Sequence, residues 1–208
     1  MNRWTFLIAG TALIGAALLV CAQVASEDQK AQGQPGSDEM AAMMAKWAEL
    51  NALGPEHKAF ADMVGKWDTL TRMWMAPEMP PMESLGGAEF ELMLGGRYVQ
   101  QTYRCPSMGM PFEGVGITGY DKFKKKYVSI WMDSMSTAIG ISEGTPDASG
   151  RVFTYYGTVD DPLTGERGMM TRTVIREVDD DKVVMEMHEK RSASDERKVM
   201  EIEYTRKP

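Results

Sequence analysis

The side chains able to do chemistry are few and scattered. His57 and His188 stand far apart, and Cys105 is alone once Cys21 is assigned to an N-terminal signal. A thiol with a histidine partner makes a nucleophile, but a small apolar residue in a strand is the plainer reading of Cys105. Asp160-Asp161 and Asp179-Asp180-Asp181 offer paired carboxylates for acid–base work or oxygen ligands for Ca²⁺. Both clusters fall in expected hairpin turns, where Asp is favoured for local hydrogen bonding, and neither fits a calcium-binding loop. No histidine pair has zinc spacing and no glycine loop could cradle a phosphate. No catalytic residue, metal or cofactor is therefore assigned. Methionine is the abundant soft group, 19 residues against six Phe. Thioethers can take Cu(I), but they also fill cores and make adaptable apolar surfaces. The dense runs at 73–82 and 107–111 are irregularly spaced, which favours packing.

The elements that must position these groups are legible from pattern. The chain of 208 residues, 43% hydrophobic and 25% charged, is long enough for one domain with a sizeable core. Its formal net charge of −7 argues against nucleic acid and against an electrostatic hold on anionic lipid. Arg3 followed by the apolar run Phe6–Cys21 has the pattern of a secretory signal, cut after Ala22. A lipoprotein signal using Cys21 and an uncleaved anchor are the alternatives, and in every case the body is exported, to periplasm or medium. The mature form is expected to have no membrane span. Residues 23–37 read as a disordered linker. Short helices are expected over 38–64. In the first, Met40, Met43, Trp47 and Leu50 share a face that should dock on the domain or on a partner. In the second, Pro55 suits the first turn, and Phe60, Met63 and Val64 form an apolar face before Gly65.

From residue 65 to 208 the period changes to two. Ten strands are expected, near 67–75, 86–94, 96–105, 113–120, 126–133, 137–145, 150–157, 168–178, 182–190 and 197–206. Short turns make sequence neighbours sheet neighbours. The fold class is all-β: an antiparallel up-and-down barrel, closed because closure removes exposed edges. Ala88, Phe90 and Leu92 share one face, as do Val183, Met185 and Met187, and Met200, Ile202, Tyr204 and Arg206. By this count His188 points outward. Arg206 joins the inward set and needs a partner, for which an indole face is well suited.

Gly65-x-Trp67 after a short helix, with an inward Arg on the last strand, resembles the calycin arrangement of lipocalins and fatty-acid-binding proteins. That resemblance implies that Trp67 and Arg206 stack to close one barrel end. The segments GPEHKAFADMVGKWD, MPPMES, LMLGGRYVQQTY, MGMPFEGVGITGYDKFKKKYVSIWMD and EIEYTRK, in order over about residues 54–207, resemble a bacterial domain-of-unknown-function family (number 1579) with a lipocalin-like barrel. The likeness implies a fold and leaves activity open. The expected function is binding of a small apolar or amphipathic ligand, lined by Phe90, Leu92, Tyr98, Tyr103, Trp131 and Tyr204. A barrel filled by its own side chains is the plain counterpart. The alternatives are a hydrolase-type enzyme using loop carboxylates, and an interaction module using the Met-rich helix and loops.

Overall fold

The computed structural model describes residues 36–107, 109–192 and 194–208. The expected signal and nearly all of the expected linker lie outside the described residues. Residues 44–208 form one compact unit. The short elements before the barrel are α1 (Ser37–Leu50), a 3₁₀ turn at Pro55–His57 and α2 (Lys58–Met63).

Ten strands follow: β1 (Gly65–Met73), β2 (Met82–Met93), β3 (Tyr98–Ser107), β4 (Met110–Asp121), β5 (Lys126–Asp133), β6 (Gly140–Pro146), β7 (Val152–Val159), β8 (Met169–Asp179), β9 (Lys182–Lys190) and β10 (Arg197–Arg206). Each pairs antiparallel with its sequence neighbours, and β1 pairs with β10, closing the barrel. Closure leaves no strand at an open sheet edge.

Two strands are longer than their turn residues suggest. Met82–Leu85 pair with Leu70–Met73, so β2 begins four residues earlier than its punctuation implies. In the β3–β4 hairpin Pro106 faces Pro111, which puts both missing N–H donors on one rung near the strand ends. Helix α1 has no buried residue, and Trp47 is 61% exposed. The plug is α2, whose Phe60 is buried in the core beside Tyr127, with ring centroids 5.8 Å apart.

Inner and outer faces alternate along the strands, interrupted by register shifts at Lys198/Met200 and Glu177/Asp179. Trp67, Thr69 and Thr71 of β1, Val99 and Tyr103 of β3, and Phe153 and Tyr155 of β7 are buried, while their chain neighbours face outward or are half-buried. The core concentrates towards the α2 end: Phe60, Trp67, Phe90, Tyr127, Phe153, Tyr155, Val183 and Tyr204 all belong to it.

Candidate functional site

The two ends of the barrel are built from different chemistry. At the α2 end Trp67, 2% exposed, pairs directly with Arg206 across the β1–β10 seam. The guanidinium carbon lies 4.1 Å from the indole centroid. Nη1 of Arg206 donates to the Val64 carbonyl at 2.8 Å, and Nη2 donates to the Asp62 carbonyl at 2.6 Å. Trp67 Nε1 donates to the Met63 carbonyl at 3.0 Å. Three carbonyls orphaned by the end of a six-residue helix are thereby satisfied. Gly65 makes the step from plug to strand with φ +124°, and a Cβ there would come within 3.3 Å of Arg206 Nη1.

A band of polar groups crosses the middle. The Tyr103 hydroxyl shares a 2.5 Å hydrogen bond with Thr71 Oγ1, and Thr69 Oγ1 donates to it at 3.4 Å. Gln101 Nε2 donates to the Tyr204 hydroxyl at 3.1 Å. Burial raises the Tyr103 hydroxyl above its ordinary value and pushes those of Tyr155 and Tyr204 well above it.

The other end has no helix over it among the described residues. Its inner wall carries Trp131 on one side, half-buried, with Nε1 donating to Asp133 Oδ2 at 3.1 Å. The indole lies over Gly114 and Gly116, and a Cβ at Gly114 would overlap it. Across the barrel, methionines meet in register. Met73 lies opposite Met82 on one side and Met200 on the other, and Met200 lies opposite Met187. This mouth has methionine on one wall and indole on the other.

The expected ligand-lining residues separate by depth. Phe90 and Tyr204 are buried near the plug, their centroids 6.2 Å apart, with Phe90 also 6.4 Å from Trp67. Tyr103 is buried in the polar band, 6.5 Å from Trp131, which faces the mouth. Two of the six do not line the interior. Tyr98 is 40% exposed, because the alternation that buries Val99 and Tyr103 puts it outside, where its ring covers Gly119. Leu92 shares the face of Phe90 but overhangs Gly65, the first residue of β1 to pair, and is 44% exposed. Met73, Met82, Met187 and Met200 also face inward, on one rung at the mouth. Alternation could place Met187 and Met200 inside, but only register aligns all four.

The described concavities lie on the outer wall or rim. One of about 290 Å³ is bordered by Lys126, Glu143 and Tyr156. Another of about 380 Å³ is bordered by Glu113, Met132 and Asp133. The acidic clusters are engaged in turns. Asp161 Oδ1 accepts from the Leu163 amide at 2.9 Å while Oδ2 meets Arg191 at 2.9 Å, and these contacts hold its carboxyl down at about 2. Asp160 accepts from the Gly168 amide and Asp179 from the Asp181 amide. His188 points outward between Arg172 and Lys198, and its Nδ1 is 3.6 Å from Glu196. Cys105 is a half-buried free thiol. Among the described residues no three His, Cys, Asp or Glu side chains gather as a metal site, and no helix is long and apolar enough to cross a membrane.

The family model described as a protein of unknown function (DUF1579) matches residues 52–206. No curated protein gives a significant match. Among solved structures, Rv2717c from M. tuberculosis is similar with a TM-score of 0.57 and 15% identity, covering 76% of this chain and 100% of that one. The S-type phycobiliprotein lyase CPES from Guillardia theta is similar with a TM-score of 0.53 and 11% identity, covering 73% of this chain and 92% of that one. At these identities the likeness is one of fold.

Proposed function

We propose that this chain, which belongs to the DUF1579 family, binds a small apolar or amphipathic molecule at its methionine-lined mouth. The observation that carries the reading is the inequality of the two barrel ends. One is sealed by α2, Trp67 and Arg206, and at the other, among the described residues, no helix covers Trp131 and the inward methionines. Barrel mouths are common ligand sites, and methionine walls can re-pack around guests of different shape. Trp131 and Tyr103 supply the aromatic floor, while Phe90 and Tyr204 act below it as packing. That a phycobiliprotein lyase uses a barrel of this architecture agrees with such a role. The apolar run Phe6–Cys21 behind Arg3 supports export, so the ligand would be met outside the cytoplasm.

Native mass spectrometry of the full chain purified from its own host tests the binding reading. A co-purifying lipid or pigment that Trp131→Ala loses is the expected result. A bare mass that stays bare with medium-chain fatty acids and haem added would overturn it. For export, cell fractionation should find the chain outside the cytoplasm, and a cytoplasmic pool alone would contradict that part.

A further inference from the structure

We propose that Met73, Met82 and Met200, flanked by Met187, form a soft-metal site that takes Cu(I). The proposal goes beyond small-molecule binding and rests on register. Met82, Met73, Met200 and Met187 occupy one continuous rung across β2, β1, β10 and β9. Directly opposed residues on one face have Cβ atoms roughly 4.5–5.5 Å apart. Three thioethers centred on Met73 can therefore converge on one ion, while Met187 stands one strand further along the row. Thioethers are soft and select Cu(I) over harder divalent ions. They also carry no proton that the metal must displace, unlike thiol or imidazolium ligands.

Two further features favour a site over plain filler. First, the outer faces of the same strands are tied together beside the row. Arg72, next to Met73, reaches Glu83 at 3.0 Å and Glu201 at 2.8 Å, which are the neighbours of Met82 and Met200. Lys198 joins Glu201 at 2.5 Å to Glu186 at 3.1 Å, the neighbour of Met187. Each methionine of the row thus has a chain neighbour in one ion-pair chain, which fixes the spacing of the inner row from outside. Second, the β9–β10 ladder is bulged between Lys198 and Met200, a device that re-aims the side chain beside it. Met82 is 47% exposed and gives an ion a way in, whereas Met73, Met187 and Met200 are half-buried.

The test is an anaerobic Cu(I) titration of the full chain against a chromophoric Cu(I) chelator, with X-ray absorption of the loaded protein. One equivalent held by sulfur ligands is expected. Met73→Leu with Met200→Leu, a volume-conserving pair that keeps the fold, should weaken binding by about 100-fold or more, at the upper end of what losing even an outer partner costs. Cys105→Ser should leave binding unchanged. Circular dichroism and the melting temperature confirm that both variants fold. No transfer from the chelator, binding that survives the leucine pair, or binding that Cys105→Ser removes would each overturn the proposal.

Discussion

The plugged end and the mouth share the same ten strands but solve opposite problems. At the plug the helix-end carbonyls meet Trp67 and Arg206, and rings pack edge to face, Phe60 on Tyr127 and Phe90 on Trp67. At the mouth one wall carries thioethers opposite the Trp131 indole, and on the methionine side the ordering contacts lie on the outer face, from Arg72 to Glu83, Glu201 and Glu203. A rigid end made of aromatics and a guanidinium holds the fold. The end with methionines on a braced wall is the one proposed to take a guest.

That contrast breaks most visibly at Trp67. Trp67→Ala removes a side chain that is buried and stacked on Arg206, and should cost about 3–5 kcal/mol in denaturant unfolding. A loss below ~1 kcal/mol would mean the plug does not hold the fold. In the middle band, Tyr103→Phe leaves Thr71 without its partner inside the barrel and should cost about 1–3 kcal/mol. At the mouth, Met82→Leu should change stability by less than ~1 kcal/mol, because the residue is half exposed and the exchange keeps its volume.

Alkaline pH provides a graded version of the same comparison. Burial, with Glu56 nearby, pushes the Tyr127 hydroxyl from 10.0 up to about 12, and its proton is donated to the Glu56 carbonyl at 2.9 Å. Above pH 10 the unfolded chain releases this proton more readily than the folded one. The stabilisation is complete below 10 and is lost as pH rises towards 12. Tyr155 and Tyr204 are raised further by burial and add to the loss in the same direction. Urea midpoints measured between pH 9 and pH 12 should fall across this interval. A flat profile would show that these rings are not buried as described.

The barrel could be read from the chain because it follows from local rules. Period-two alternation in Trp67–Met73 and Met200–Arg206 puts the Trp and the Arg on the inner face, and short turns dictate neighbour pairing. Readings that needed longer-range information went astray. Tyr98 and Tyr103 differ in parity and cannot both face inward, and Val99 decides between them. Leu92 obeys parity but runs past the end of its neighbour strand, which only register reveals. The apolar face of α1 signals a helix correctly, yet burial depends on a partner surface that periodicity does not specify. The methionine row is the clearest case. Its members come from residues 73, 82, 187 and 200, and one extra residue at the β10 bulge would misalign any count made along the chain.

The central claim is that binding happens at the mouth and not at the plug. Methyl-¹³C methionine spectra of the full chain, recorded while lauric acid is added, test it most directly. The methyls of Met73, Met82, Met187 and Met200 should shift in a saturable way while Met63, beside the plug, stays still. Shifts at Met63 with none at the mouth, or no saturable shift at any methionine, would contradict the account.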